Sequence, residues 1–215
     1  MNGEAKGVKL VVFDLNRTII HENTWEDLNL AMGVTPEEDA LFMKWYEEGI
    51  VSYEEGQKFL DRIYLGRGKA HREKMAQIMS KYSYREGARE IIKYLKSKGY
   101  RVALVSGSID MVVERVSGEL GVEMWRAHNK LRFDENGRFV KIDCSGDDAD
   151  FKLDAVVEFC RDLGIKMEQV VCVGDGFNDR KIFEESRHGV TFAGSQVVKL
   201  AWKVIKKLGD LKEIL

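Results

Sequence analysis

Proline occurs once in 215 residues, so the chain has no proline-rich linker and no polyproline ligand segment. Cysteine is almost as scarce. Cys144, Cys160 and Cys172 show neither CxxC spacing nor a zinc pattern. That excludes a dithiol redox motif and a zinc ribbon, and leaves three small buried or half-buried side chains. No sign of charge dominates: 34 Lys and Arg face 36 Asp and Glu. The whole chain therefore has no field to gather nucleic acid or an anionic membrane, and neither is expected as a partner. Apolar runs such as Leu10 to Phe13 are far too short to cross a bilayer. Met1 to Lys9, broken by Glu4, Lys6 and Lys9, lacks the apolar core of a secretory leader. A cytoplasmic protein is expected, of open oligomeric state. Repeats and low-complexity tracts are missing too, so the order of the elements carries the information.

The length suits one α/β domain with a small accessory one. Val8 to Phe13 is apolar and β-branched apart from Lys9, and runs into Asp14, as a buried strand does. Helical signals follow. Thr35-Pro36-Glu37-Glu38 is a capping box with proline at the first helical position, and Leu41/Trp45 and Phe42/Tyr46 then pair four residues apart. Ser52-Tyr53-Glu54-Glu55 is a second box, opening a helix with Phe59, Leu60, Ile63 and Tyr64 on one face. Lys69 to Lys81 is expected as a third helix.

After Gly87 the pattern changes. Ala88, Ile91, Ile92 and Leu95 mark a helix that stops near Gly99, and Arg101 to Val105 reads as a strand ending at Ser106. A helix over Ile109 to Leu120 and a hairpin over Leu131 to Ile142, turning at Glu135-Asn136-Gly137, come next. Then follow a helix from Asp150 to Leu163, a strand from Val170 to Val173, and short strands at His188 to Phe192 and Trp202 to Ile205. This alternation predicts an α/β fold with a doubly wound parallel sheet, and a helical lid inserted after the first strand. The expected division is a core domain over 1–20 and 82–215, a helical cap domain over 21–81, and a short hairpin flap near 129–143 within the core.

Three of these strands end in polar, reactive residues: Asp14, Ser106 and Asp175. Ligands of open parallel sheets bind beyond the carboxyl ends of the strands, so these side chains can converge. Gly174-Asp175-Gly176-Phe177-Asn178-Asp179 is the densest signal, with two carboxylates four apart at a strand-to-helix turn, suited to Mg²⁺. The plainer reading is a capped helix or an acidic turn. Ser106-Gly107-Ser108 is read as a helix start whose hydroxyl and N–H groups could hold phosphate oxygens. Lys152 could neutralise phosphate charge; taken alone it would be a surface lysine.

Together these residues resemble the haloacid dehalogenase superfamily. Asp14-Leu15-Asn16-Arg17-Thr18 looks like its first motif, usually DxDx[TV]. Ser106, Lys152 and Gly174 to Asp179 match the second, third and fourth in order. The inserted lid and the hairpin resemble the caps of the phosphoserine phosphatase-like branch. The resemblance implies a Rossmann-like core and a phosphatase acting on a small phosphorylated molecule. Asp14 would form an aspartyl-phosphate. Asp14, Asp175 and the backbone carbonyl of Asn16 would bind Mg²⁺, with Asp179 supporting the metal through water. Ser106, Gly107 and Lys152 would hold the transferring phosphoryl group, Asn178 would position the site, and Thr18 would orient the loop. A haloacid dehalogenase proper, which displaces halide without metal, would leave the Asp175/Asp179 turn unexplained.

Asn16 departs from the motif, which normally has an aspartate there as acid and base; a carboxamide exchanges no proton at neutral pH. Asn16 is either a substitution introduced to trap a bound state or native. A native Asn16 leaves another base, with His21 or Glu22 at hand, or slow hydrolysis, or a non-catalytic phosphate-binding sensor. Phosphoserine recognition departs as well. Asn23 stands, beside Glu22, where the branch has a glutamate for the substrate amine. Leu60 stands two residues from Arg62, where the branch has a cap arginine. Trp25, Phe42, Trp45, Tyr46 and Tyr64 are expected to form cap core rather than a substrate cage.

Overall fold

The computed structural model describes residues 7–215. Residues 1–6, which include most of the Met1 to Lys9 segment and the start of the expected core domain, lie outside the described residues. In chain order the elements are β1 (Leu10–Phe13), α1 (Thr24–Ala31), α2 (Pro36–Glu47), α3 (Tyr53–Gly66), α4 (Arg72–Met79), α5 (Ala88–Ser97), β2 (Arg101–Ile109) and α6 (Asp110–Leu120). They continue with β3 (Met124–Phe133), β4 (Phe139–Asp143), α7 (Asp148–Leu163), β5 (Val170–Val173), α8 (Arg180–Ser186), β6 (Gly189–Phe192) and β7 (Lys203–Ile205). The strands form one sheet in the order β4-β3-β2-β1-β5-β6-β7, parallel except for β4. This is the expected α/β architecture, with a helical cap between β1 and β2.

β1 lies in the middle of the sheet and is buried throughout. Successive side chains point to opposite faces, so it feeds two cores. Val11 and Phe13 pack with Ile91 of α5, Val113 of α6 and Leu211 near the C-terminus. Leu10 and Val12 pack with Val156 and Phe159 of α7 and Phe183 of α8. Both faces being covered explains the unbroken apolar runs of β1 and β5. β1 starts two residues later than the apolar run, although the Lys9 backbone still bonds Gln169 and Arg101 on its two sides.

The first core continues into the cap through Leu28, Met32, Tyr64 and Met75. Both capping boxes form as expected. Thr35 Oγ1 accepts from the Glu38 N–H at 3.2 Å while Glu38 accepts from the Thr35 N–H at 2.9 Å. Ser52 and Glu55 do the same. Caps of this kind contribute about 1 kcal/mol each. α4 is shorter than Lys69 to Lys81, because His71 leaves the helix to bridge Arg138 and cap the first turn. Where the chain leaves the sheet for the cap and where it returns, Ile20 pairs with Tyr84 in an isolated antiparallel bridge.

One expectation is corrected. β2 does not stop at Val105: it runs on to Ile109, its pairing with β3 shifting register between Ser106 and Ile109. Ser106 and Gly107 therefore lie in a strand, and the helix begins only at Asp110. The hairpin turns where Asp134 Oδ1 accepts from the Asn136 and Arg138 N–H groups, with Gly137 at φ +78°. β3 pairs with β2 before it pairs with β4, and Asp61 of α3 accepts from the Ile142 N–H at 2.7 Å, pinning the hairpin to the cap.

Candidate active site

Asp14 follows the last residue of β1, Ser106 lies in β2, and Asp175 lies just past β5. These three strands are neighbours, so the three residues meet at one edge of the sheet. α7, packed across that sheet, brings in Lys152, which is fully buried rather than on the surface. Its ammonium donates to Asp14 Oδ1 and Asp179 Oδ1, both at 2.8 Å, and to Asn178 Oδ1 at 3.2 Å. Burial alone would push this ammonium down; the facing carboxylates of Asp14, Asp179 and Asp148 outweigh it and hold it well above the ordinary lysine range.

Asp14, Asp175 and Asp179 each offer an oxygen within 4.8 Å of the others. Burial and the Asp14 charge push Asp175 up to about 6, against an accepted bond from Thr18 Oγ1 at 3.0 Å. Burial also raises Asp179, with Lys152 opposing. Asp179 Oδ2 accepts from the Asp175 and Gly176 N–H groups, which fixes the turn. A set of hard oxygen donors under mutual repulsion fits a small divalent cation. Such a cation must displace the proton, so its affinity is expected to weaken by up to about tenfold per pH unit below about 6. Calorimetric Mg²⁺ titration at pH 5, 6 and 7 measures this; a constant affinity would remove Asp175 from the ligand set.

Asn16 lines the same cavity as Asp14, Ser106, Gly107, Asp175 and Asn178. Its carboxamide is tied to the cap. Asn16 Oδ1 accepts from Thr24 Oγ1 at 3.0 Å, and Asn16 Nδ2 donates to Asn23 Oδ1 at 3.2 Å. Thr24 Oγ1 meets Ser108 Oγ at 3.0 Å, linking this network to β2. Glu22 turns away. It accepts from the Ser83 N–H and hydroxyl, and these bonds outweigh burial and hold it below the ordinary carboxylate range. His21 is exposed, and neither it nor Glu22 lines the cavity.

Asp148 was not singled out from sequence. It stands four residues before Lys152 on α7, hence on the same helix face, and that spacing was the available signal. Asp148 Oδ2 accepts from Asn178 Nδ2 at 2.6 Å, and Asp148 Oδ1 meets His128 Nδ1 at 2.9 Å. His128 is stacked between Tyr53 and Phe151, with ring centroids 4.8 and 4.5 Å away. The chain His128–Asp148–Asn178–Lys152 thus ends on Asp14. Gly107 passes so close to Asp148 that a Cβ there would lie 2.1 Å from Asp148 Oδ2. Gly107→Ala is expected to lose about 1–3 kcal/mol by overpacking, and to weaken phosphate binding by displacing Asp148. Denaturant melts and phosphate titration test this, and an unaltered variant would mean that Asp148 is not held in place.

Of the cap aromatics, only Tyr64 is full core. Trp45 is 40% exposed, Phe42 and Tyr46 line the cavity, and Trp25 lines it while also packing against the first core. Trp25 Nε1 donates to the Gly107 carbonyl at 3.1 Å. Tyr46 donates to Asp147 Oδ2 at 2.7 Å, and Gln196 to Glu47 Oε1 at 2.9 Å, so α2 is fastened to the core.

The profile of the haloacid dehalogenase-like hydrolases matches residues 11–184. The chain belongs to that family. It is 30% identical to the phosphoserine phosphatase of Methanocaldococcus jannaschii, over 98% of this chain and 97% of that one. It is 34% identical to that of Archaeoglobus fulgidus over 89% of this chain, but spans only 54% of that longer protein. A phosphoserine phosphatase solved as a phospho-aspartyl intermediate analogue superposes with TM-score 0.81 at 27% identity, over 98% of this chain and 100% of its own. A substrate-bound phosphoserine phosphatase gives 0.80 at 26%, with the same coverage. This haloacid dehalogenase-like hydrolase is therefore phosphoserine phosphatase-like over nearly its whole length. No helix among its described residues is long and apolar enough to cross a membrane.

Proposed function

We propose that this hydrolase is a Mg²⁺-dependent phosphomonoesterase that transfers the phosphoryl group of a small ester to Asp14 and releases it slowly. The observation that carries this is the buried Asp14 carboxylate, held by Lys152 at 2.8 Å beside Asp175 at the mouth of the sheet. An oxygen of Asp14 attacks phosphorus and the bond to the ester oxygen breaks, leaving an alkoxide that needs a proton. Water then attacks the aspartyl-phosphate, gives up a proton, and frees Asp14 and phosphate.

Asp14, Asp175 and the Asn16 carbonyl would hold Mg²⁺, with Asp179 behind them. The ion would supply positive charge to offset the meeting of carboxylate and phosphate. Lys152 adds to that charge and holds the Asp14 carboxylate through its bond to Oδ1 at 2.8 Å. Ser106 and Gly107 lie where they can receive phosphoryl oxygens, and Asn178, oriented by Asp148, fixes the ammonium. Expected domain limits of 1–20 with 82–215 and 21–81 fit this division of labour, the core holding phosphate and the cap facing the alcohol.

Asn16 can neither protonate the leaving oxygen nor take the proton of the attacking water. With an activated ester, whose leaving oxygen needs no proton, the intermediate should therefore accumulate. Incubation with a radiolabelled phosphomonoester and Mg²⁺ is expected to label the protein, with the label released by hydroxylamine and absent in Asp14→Asn. No label and no turnover would favour the second reading, a phosphate-binding sensor, which the locking of Asn16 between Thr24 and Asn23 supports.

A further inference from the structure

We infer that the alcohol released at this site has an apolar body and bears no carboxylate. This rests on the phosphomonoesterase reading above and names its substrate class.

The cavity between cap and sheet measures about 520 Å³, within the range of about 300–1,000 Å³ that encloses drug-sized ligands. Beyond its phosphoryl end the walls are Trp25, Phe42, Met43, Tyr46, Tyr53 and Leu60. α3 turns one face inward, with Tyr53, Gln57 and Leu60 at spacings of four and three. Gln57, only 5% exposed, is the polar member of that face, and its Oε1 has no partner. A carboxamide can bond a hydroxyl or amide of a ligand but cannot neutralise a carboxylate. Arg62 falls on another face of α3, is exposed, and does not line the cavity.

Charge points the same way. Among the described residues lining the cavity, the cap supplies Glu26, Asp39 and Glu47, against the cation Arg17. Arg17 is already paired with Glu26. Burial and the neighbouring Glu26 raise Asp39, against a bond donated by Asn29 Nδ2 at 2.6 Å and the charge of Arg17. An incoming carboxylate would be desolvated among like charges with no free partner. Phosphoserine carries such a group, whereas an apolar alcohol replaces water along an aromatic wall.

Calorimetry on the wild-type chain with Mg²⁺ tests this without needing turnover. The probes are inorganic phosphate, benzylphosphonate, and 2-amino-4-phosphonobutanoate, which mimics phosphoserine. Benzylphosphonate is expected to bind at least about tenfold tighter than the amino acid. Leu60→Arg is expected to shift the ratio of the two toward the amino acid by at least about tenfold. Should that variant not fold, Phe42→Ala is expected to lower the ratio of benzylphosphonate to phosphate affinity by about tenfold. Phosphate binding with equal or tighter binding of the amino acid overturns the inference alone. Failure to bind even phosphate overturns the phosphomonoesterase reading and the inference with it.

Discussion

Replacing Asn16 with aspartate is expected to raise Mg²⁺-dependent turnover of a phosphomonoester by about 100- to 10,000-fold, the usual worth of a positioned acid-base. That is about 3–5 kcal/mol of barrier. Residue 16 lines the cavity beside Asp14, and its side chain already has partners that suit a carboxylate: the Thr24 N–H and hydroxyl. An aspartate would keep both bonds and lose only the donation to Asn23 Oδ1. Aspartate at 16 would then stand in place to protonate the ester oxygen and later accept the proton of water. Mg²⁺ affinity should change little, since only the backbone carbonyl of residue 16 enters the proposed ligand set. Steady-state turnover and single-turnover dephosphorylation should both rise, with the labelled intermediate disappearing. Equal rates for the two proteins would refute the claim that the missing acid-base limits hydrolysis.

Removal of Lys152 is expected to have the largest effect on stability. Its ammonium is wholly buried and bridges two carboxylates at 2.8 Å. Breaking a buried ion pair from one side leaves uncompensated charge and costs about 3–5 kcal/mol. Lys152→Ala should therefore melt about 6–20 °C lower for a chain of this size. The sign of its pH dependence follows from the carboxylates left behind. Burial already raises Asp179 with Lys152 opposing, so without the ammonium its folded-state value would lie further above the unfolded one. Protonated, it costs little; as pH rises through that raised value it ionises and destabilises the fold. The deficit should be small near pH 5, large near pH 8, and partly restored by Mg²⁺. A variant that melts within 2 °C of the parent at pH 8 would show that water, not Lys152, compensates these anions.

Much of the scaffold was legible because its signals are local. β5 falls where Val170 to Val173 predicts it, and α2 and α3 open at their capping boxes, since four consecutive side chains set each start. β2 was misjudged because its last residues are extended only by pairing with β3, a partner some twenty residues on. Asp14, Lys152, Asn178 and Asp179 come together as the motif order implies. Asp148 and His128 were not seen, because their contact joins α7 to β3 and leaves no trace at either position alone. The cavity-lining positions of Trp25, Phe42 and Tyr46 were not legible for a related reason. An apolar helix face shows that something is covered, not whether that something is protein or ligand.

The bridge between Ile20 and Tyr84 has a consequence for ancestry. Chain enters the cap and returns from it at one place, where a single bridge holds two residues side by side. A module exchanged between them leaves the pairing of β1 with β2 outside the graft, but must replace the contacts that Leu28, Met32, Tyr64 and Met75 make with the shared core. On the proposed reading, the half that handles phosphoryl and the half that selects the alcohol can then diverge at different rates. A graft of a foreign cap at these two residues should inherit this chain's chemistry and its donor's taste in alcohols.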